Sequence, residues 1–284
     1  MEIVPFESVA INYKTVFFDA FGVLKNQSGL LPGIEKTFDF LKEHDINFYI
    51  ITNDASRGPK ELAASYQEKG LTQITKSKII SSGMLARDYL KLKVKEGTIA
   101  YLGTKESAHY LETLALKTIS IADLNIEEDA DDISALVILD DEGFDWNHDL
   151  NKAVNLLRRK NIATIVANTD KYYPVAGKEV AIAAGGIANL LEDIVGKNII
   201  RFGKPDAQMF IFAYEHSIKN GDTKDKNKIL MVGDTLTTDI LGGNKFGLDT
   251  VLVLTGNTLP SQAEIRIQTK GIIPTFVCES AVIK

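Results

Sequence analysis

Three aspartates, Asp19, Asp234 and Asp239, are the side chains of this sequence best suited to chemistry. Asp19 follows the apolar run Thr15–Phe18, which has the pattern of a buried strand, and a turn containing Gly22 comes next. Asp234 leaves a second apolar run, and Asp239 follows five residues later, where a helix is predicted to begin. Two carboxylates held close together repel each other unless a cation lies between them, and oxygen ligands suit Mg²⁺. The sequence therefore indicates a divalent metal site, with Asp19 either a nucleophile or an aspartate that caps a turn.

Two further polar segments end apolar runs and suit a phosphate group. Thr52 and Asn53 follow the run that starts at Phe48, so a hydroxyl and an amide can donate hydrogen bonds to phosphate oxygens. Lys204 is a fixed cation shortly before a predicted helix, for which Asp206 is the predicted N-cap. Each segment alone fits an ordinary loop. Ligands of open α/β sheets bind at the carboxyl ends of strands, so the four segments together predict a site for phosphate and metal.

A parallel sheet is the element that can hold these side chains together. The chain alternates strands and helices, with a strand predicted at Thr15–Phe18, a helix at Ile34–Glu43, a strand at residues 47–51 and a helix at residues 59–69. Such alternation predicts right-handed crossovers between parallel strands.

The segment between Thr52 and Lys204 is long enough for a domain of its own, since it holds roughly one hundred residues outside the predicted sheet. Its predicted elements are a strand at Thr98–Leu102, a helix at residues 105–116, a strand at 135–139, a helix at 148–160 and a strand at 163–167. We predict a discontinuous core domain of residues 1–82 and 180–284, interrupted by an α/β domain of residues 83–179.

In order, spacing and strand context, the four polar segments resemble the four motifs of the haloacid dehalogenase (HAD) superfamily. Residues 51–57, 166–170, 203–205 and 251–256 are similar to the class IIA branch, which contains nitrophenylphosphatases and nucleotide monophosphatases of the NagD type. The resemblance implies an α/β fold, with a Rossmann-like parallel-sheet core and a large α/β cap domain inserted between the second and third motifs. It also implies that the cap covers the active site and that the substrate is small.

The resemblance implies a hydrolase that removes phosphate from a small metabolite such as a nucleotide, a sugar phosphate or an aryl phosphate. Asp19 would attack phosphorus and form an aspartyl-phosphate, with Thr52 and Lys204 as its catalytic partners. Mg²⁺ would be bound by Asp19, by the backbone carbonyl of Phe21 and by Asp234, with Asp239 a ligand or an orienting group. The residues expected to contact phosphate or substrate are Phe21, Gly22, Thr52, Asn53, Lys204 and Asp170.

Phe21 departs from the resembled pattern, in which an aspartate at this position protonates the leaving group and then activates water. General acid–base catalysis is typically worth about 10²- to 10⁴-fold, so we expect a weak or specialised phosphatase that favours activated phosphates. Asp170 is the first candidate for a substitute acid.

Two other interpretations explain Phe21 differently. One is a catalytically impaired protein that binds phosphate through the same four segments. The other is a metal-independent hydrolase of the 2-haloacid dehalogenase type, because those enzymes carry an aromatic residue at this position. Retention of Asp234 disfavours the second, since a buried carboxylate without a cation is costly beside a carboxylate substrate.

Composition favours a soluble enzyme and excludes some partners. The formal net charge is −6, and the basic residues form no concentrated tract, so nucleic acid is not an expected partner. No uncharged stretch approaches the ~20 residues of a membrane-spanning helix. Cys278 is the single cysteine, expected to be buried, and the N-terminal residues do not read as a signal peptide, so we expect a cytoplasmic protein. The expected partners are the phosphorylated substrate and, as the resemblance implies, a second copy contacted through the cap.

Overall fold

The structure is a computed structural model that describes residues 2–175 and 179–284. These residues form two compact units. The first unit contains residues 2–52, 59–80 and 204–284, and the second contains residues 53–58, 81–175 and 179–203. Residues 1 and 176–178, which fall within the predicted core and cap ranges, lie outside the described residues.

Strands and helices alternate along most of the described chain. The strands are β1 (Thr15–Phe18), β2 (Lys25–Asn26), β3 (Gly29–Leu30), β4 (Asn47–Thr52), β5 (Ile79–Ser81), β6 (Thr98–Leu102), β7 (Lys117–Ser120), β8 (Ile133–Ile138), β9 (Ala163–Val166), β10 (Tyr172–Pro174), β11 (Val180–Ile182), β12 (Ile200–Arg201), β13 (Ile229–Gly233), β14 (Asp249–Val253) and β15 (Phe276–Cys278). The helices are α1 (Phe6–Ala10), α2 (Ile34–Glu43), α3 (Pro59–Gln67), α4 (Ser82–Lys93), α5 (His109–Glu112), α6 (Ile126–Asp129), α7 (His148–Arg159), α8 (Ala184–Val195), α9 (Ala207–Lys219), α10 (Leu241–Phe246) and α11 (Pro260–Lys270). A π-helical turn, Leu236–Ile240, leads directly into α10.

The main sheet has the strand order β15-β14-β13-β1-β4-β5. Strand β1 pairs in parallel with β13 on one side and with β4 on the other, so that Phe18 is in register with both Val232 and Ile50. Because parallel strands end at the same edge of a sheet, the C-terminal residues of β1, β4 and β13 lie at one edge.

The main sheet is held by apolar side chains on alternating faces. Val16 and Phe18 point into a core that also contains Phe38 of α2, and the rings of Phe18 and Phe38 have centroids 6.0 Å apart. On the other face, the ring of Phe17 meets that of Tyr49 edge to face. Burying one such side chain fully stabilises a fold by about 1.5–3 kcal/mol, so β1 is firmly anchored just before Asp19.

The second unit has a sheet of its own, with the strand order β12-β9-β8-β6-β7, and an antiparallel hairpin of β10 and β11. The pairings within the larger sheet are parallel. Helix α7 is amphipathic, and Leu150, Ala153 and Leu157 bury its apolar face in the same core as Ala188 and Leu191 of α8. Among the described residues, no helix combines the length and apolar character needed to cross a membrane.

The predicted elements agree with the structure where the apolar pattern is strong. The predicted bounds of β1, α2 and β6 are confirmed, and Cys278 is buried as expected. The helix predicted at residues 105–116 is wrong, because only α5 is helical there and β7 begins at Lys117. The helical pattern ends after Glu112, where the Leu114 N–H donates to the Leu111 carbonyl only three residues back, at 2.9 Å.

The division into units differs from the predicted domain boundaries in three segments, residues 53–58, 81–82 and 180–203. Residues 180–203, predicted to belong to the core, are part of the second unit. The physical reason is pairing and packing: Ile200 of β12 is in register with Ile165 of β9, and α8 fills the core of the second unit.

Candidate active site

Three carboxylates converge at the carboxyl edge of the main sheet. Asp19 follows β1, Asp234 follows β13, and Asp239 lies in the π-helical turn. One oxygen from each of the three lies within 4.8 Å of the others, and Asp234 and Asp239 are almost fully buried. Like charges this close require a cation. The structure therefore brings together the three side chains that the sequence suggested as metal ligands.

Lys204 supplies one positive charge to this cluster. Its Nζ donates to Asp19 Oδ1 at 2.5 Å and lies 2.7 Å from Asp239 Oδ1. Burial lowers the pKa of Lys204, but the charges of Asp19 and Asp239 outweigh this effect and raise its pKa above the ordinary value. The lysine is thus a permanent cation that links the two aspartates. The nearby Asp206 caps α9 as predicted, since its carboxylate accepts from the Gln208 N–H at 2.8 Å.

Asp234 is enclosed by hydrogen-bond donors and by glycines. Its Oδ1 accepts from the Thr235 hydroxyl at 2.8 Å, and its Oδ2 accepts from the Asn257 main-chain N–H at 2.5 Å. A Cβ on Gly22 or Gly256 would lie 2.2 or 1.9 Å from Oδ2, so neither position has room for a side chain. The backbone therefore fixes this carboxylate from three sides.

Burial dominates the protonation of the two innermost aspartates. It raises the pKa of Asp234 to about 8, with further raising by Asp19 and Asp239 and opposing hydrogen bonds from Asn257 and Thr235. Burial likewise raises the pKa of Asp239 to about 7, although the charge of Lys204 opposes it. The raised pKa values mean that the hydrogen-bond donors and Lys204 do not fully offset the cost of burying the two negative charges. An oxygen-only donor set that lacks compensating charge fits a hard divalent cation such as Mg²⁺.

The turn after Asp19 is fixed by backbone hydrogen bonds on both sides of Phe21. Gly22 has φ +80°, a conformation that side chains rarely adopt, and its N–H donates to the Lys25 carbonyl at 2.7 Å. The Lys25 N–H in turn donates to the Ala20 carbonyl at 3.2 Å. These two bonds form the bridge between this turn and β2 and do not use the Phe21 carbonyl.

The remaining predicted site residues divide between the two units. Thr52 is the buried last residue of β4 in the first unit. Asn53 and Asp170 belong to the second unit, where the Asn53 amide donates to Asp170 Oδ1 at 3.0 Å and to Thr169 Oγ1 at 2.9 Å. The sequence predicted both residues, but not their contact with each other.

Three residues without a role predicted from the sequence form hydrogen bonds that hold the cluster in position: Thr235, Thr255 and Asn257. Thr255 donates its hydroxyl to the Gly22 carbonyl at 2.5 Å, and the Asn257 amide donates to the Thr235 hydroxyl at 2.9 Å. A usable signal was present, because Thr255 and Asn257 follow the apolar run of β14 in the same way that Asp234 follows β13.

Comparisons with known proteins agree with this geometry. A family model described as haloacid dehalogenase-like hydrolase matches residues 16–117, and a HAD-hydrolase-like model matches residues 201–281. The crystal structure of a possible sugar phosphatase of the HAD superfamily from Cytophaga hutchinsonii is 56% identical, covers 100% of this chain and 99% of its own, and superposes with a TM-score of 0.96.

Two more distant relatives also match most of this chain. Chronophin from Mus musculus is 26% identical over 272 residues, which are 93% of this chain and 89% of chronophin. Glycerol phosphate phosphatase from Mycobacterium tuberculosis, solved in complex with magnesium, is 22% identical, with a TM-score of 0.77 over 99% of this chain and 78% of its own; this likeness shows the fold alone. The chain therefore belongs to the haloacid dehalogenase superfamily of hydrolases, in its class IIA phosphatase branch, with a Rossmann-like core and an inserted α/β cap domain.

Proposed function

We propose that this protein is a Mg²⁺-dependent phosphohydrolase that acts on a small phosphorylated metabolite through an aspartyl-phosphate on Asp19. The observation that carries the proposal is the buried cluster of Asp19, Asp234 and Asp239, joined by Lys204. Carboxylates from adjacent strand ends suit a metal, while a buried lysine suits an anion that carries several charges.

In the proposed reaction, a carboxylate oxygen of Asp19 attacks phosphorus and the bond from phosphorus to the leaving oxygen breaks. Water then cleaves the aspartyl-phosphate and releases inorganic phosphate, which restores Asp19. Lys204 stays protonated throughout and stabilises the negative charge that shifts onto the phosphoryl oxygens. The Thr52 hydroxyl is proposed to donate to one of these oxygens.

Mg²⁺ fits the donor set of this site. The residues proposed to hold it are Asp19, Asp234 and the Phe21 carbonyl, with Asp239 as a further ligand or an orienting group. A bound Mg²⁺ offsets the repulsion between the attacking carboxylate and the phosphate. The glycerol phosphate phosphatase has been solved in complex with magnesium and with calcium, which supports a divalent cation at this site.

Phe21 sets the expected range of substrates. The side chain is half-buried and has no proton to give to a leaving oxygen. We therefore expect phosphates whose leaving group is already acidic to react best, since they need no general acid. The possible sugar phosphatase from Cytophaga hutchinsonii supports sugar phosphates as the first metabolites to examine.

The proposal is tested by steady-state hydrolysis of nitrophenyl phosphate and a panel of sugar and polyol phosphates, with Mg²⁺ and with a chelator. Release of phosphate that requires both Mg²⁺ and an intact Asp19 supports the proposal, and Asp19→Asn is the matched control. Binding of phosphate without turnover would favour the impaired-protein interpretation. Halide release from a 2-haloacid in chelator would favour a dehalogenase.

A second copy of the chain is the partner that we propose for the second unit. Tyr172 and Ile182 are paired across the β10–β11 hairpin and are 59% and 52% exposed. A Cβ on Gly186 would lie 2.7 Å from the Ile182 side chain, and Leu190 and Ile194 continue the same helical stripe of α8. Exposed apolar stripes of this kind mark interfaces. Sedimentation of the wild type and of Leu190→Glu would test a homodimer, because the charge should convert a dimer to a monomer.

The cytoplasmic location, the substrate role of Asp170 and the domain boundaries at residues 82/83 and 179/180 stay predictions.

A further inference from the structure

The segment that follows β14, residues 255–257, forms hydrogen bonds with the turn after Asp19 and with the carboxylate of Asp234. Thr255 donates its hydroxyl to the Gly22 carbonyl at 2.5 Å, in the turn after Asp19. Asn257 donates its main-chain N–H to Asp234 Oδ2 at 2.5 Å. Between them, Gly256 lies so close to Gly22 that an added Cβ would be 2.6 Å from the Gly22 Cα. Three consecutive residues thus join the turn that carries Phe21 to the carboxylate of Asp234.

A second route from the same segment reaches the other oxygen of Asp234. The Asn257 side-chain amide donates to the Thr235 hydroxyl at 2.9 Å, and that hydroxyl donates to Asp234 Oδ1 at 2.8 Å. Because the hydroxyl accepts from the amide, its own hydrogen is directed to the carboxylate. Asn257 therefore orients both oxygens of Asp234, one directly and one through Thr235.

The segment is itself held from the next helix. Arg266 of α11 donates from Nη1 to the Asn257 carbonyl at 2.7 Å. The Asn257 peptide groups are thus fixed on both sides, by Arg266 and by Asp234. An aspartate fixed in this way cannot turn its oxygens freely to follow a ligand, which is the property required of an oriented metal ligand.

We infer that Thr255 and Asn257 are positioning residues for the metal site, acting through the Gly22 turn and Asp234. This inference rests on the proposed function, because it requires that Asp234 and the Phe21 carbonyl bind the metal. Neither residue needs to touch substrate. Loss of either should weaken metal binding while leaving the Michaelis constant for substrate unchanged at saturating metal.

Partners of this kind typically change metal affinity by about 10- to 100-fold when they are removed. We expect losses in this range for Thr255→Val, which removes the hydroxyl at nearly constant volume, and for Asn257→Ala, which removes the amide but keeps the main-chain N–H. Thr255→Ser retains the hydroxyl and should bind metal like the wild type. Asn151→Ala is the matched control for the amide, since Asn151 lies exposed on α7 and its amide donates to the Asn147 carbonyl on the same side of that helix.

The experiment measures Mn²⁺ affinity by electron paramagnetic resonance and, on the same proteins, the Michaelis constant at saturating Mg²⁺ and the metal-free melting temperature. The inference requires weaker Mn²⁺ binding in Thr255→Val and Asn257→Ala, and wild-type binding in Thr255→Ser and Asn151→Ala. The Michaelis constants and melting temperatures of all four variants should equal those of the wild type. Wild-type affinity in Thr255→Val and Asn257→Ala overturns it, and so does a matching loss in melting temperature, which indicates a structural role. A wild-type protein that neither binds Mn²⁺ nor hydrolyses any phosphate ester would instead contradict the proposed function itself.

Discussion

Lys204 Nζ lies 2.5 Å from Oδ1 of Asp19, so the residue proposed as nucleophile is paired with a buried cation before any substrate arrives. The same ammonium group lies 2.7 Å from Asp239 Oδ1. A phosphate that enters the site would meet a lysine already desolvated and fixed, with no reorganisation needed as charge develops.

Replacing Lys204 should therefore affect both rate and stability. We expect Lys204→Met to lower kcat by about 10²-fold or more, because the charge that stabilises the phosphoryl oxygens is lost. Removing one partner of a buried ion pair destabilises a fold by about 3–5 kcal/mol, and Asp19 and Asp239 would repel each other without it. Steady-state kinetics and urea unfolding in chelator measure the two effects. A variant with wild-type kcat would contradict the assigned role.

Restoring an acid at position 21 should change the substrate preference. We expect Phe21→Asp to raise kcat/KM for alkyl phosphates by about 10²-fold or more, because a carboxyl group could protonate a poor leaving oxygen. Nitrophenyl phosphate needs no such proton, so its gain should be much smaller. Phe21→Asn is the control, since it has the same shape as the aspartate without a titratable proton. Equal gains on both substrates, or in both variants, would sink the leaving-group argument.

Alanine substitutions at two glycines with similar backbone conformation distinguish the effect of backbone strain from the effect of crowding against Asp234. Gly22 and Gly247 have φ +80° and +84°, so alanine at either position costs about 1–2 kcal/mol of backbone strain. Only at position 22 would the new Cβ lie 2.2 Å from Asp234 Oδ2; at position 247 nothing lies within 4 Å. We expect Gly22→Ala to lose metal binding and activity, and Gly247→Ala to lose stability alone. Similar activity in the two variants would show that the close approach to Asp234 is unimportant.

Asp140 should make the stability of the second unit depend on pH. Burial raises its pKa to about 6, and Asp141, Asp54 and Glu142 add repulsion, while a hydrogen bond from the Asp141 N–H opposes the shift. A carboxyl whose pKa is raised on folding favours the protonated native state. Its ionisation therefore removes stability as pH rises from about 4 to 6, and the loss is complete above that range.

Asp140→Asn should thus be more stable than the wild type at pH 8 by about 1–2 kcal/mol, a value reduced for the partial exposure of Asp140. The gain should shrink as the pH falls toward 4, because both side chains are then neutral. Thermal unfolding of the two proteins across this range is the measurement. A gain that is constant with pH would indicate a packing effect instead.

The fold was predictable where local pattern and tertiary structure agree. The apolar run at Thr15–Phe18 is typical of a buried strand, and a carboxylate directly after such a strand is expected at the sheet edge, which is where Asp19 lies. Residues 105–116 were not predictable in this way, because α5 ends at Glu112 and the backbone forms a turn from Leu111 to Leu114 there. Residues 180–203 follow the predicted core in sequence order, whereas the pairing of β12 with β9 groups them with the second unit, a contact that the sequence does not indicate.

The charged residues of the candidate site were predictable from the sequence, but the residues that hold them in position were not. Asp234 and Lys204 are recognised by residue type and position, because few other side chains suit metal or phosphate at a strand end. Asn257 contacts Asp234 directly through its main-chain N–H, which every residue except proline has, so its residue type does not indicate that contact. The contact of Asn53 with Asp170 spans 117 positions of the chain and depends on how the second unit folds.

The central claim is that Asp19 accepts a phosphoryl group. Because Phe21 offers no base to activate water, we expect the aspartyl-phosphate to break down slowly and to accumulate during turnover. The direct measurement is intact-mass analysis of protein quenched in acid after mixing with Mg²⁺ and nitrophenyl phosphate. The account predicts the added mass of one phosphoryl group, mapped to Asp19, and none in Asp19→Asn or in chelator. Product formation with an adduct on a different residue, or an adduct that persists in Asp19→Asn, would contradict it.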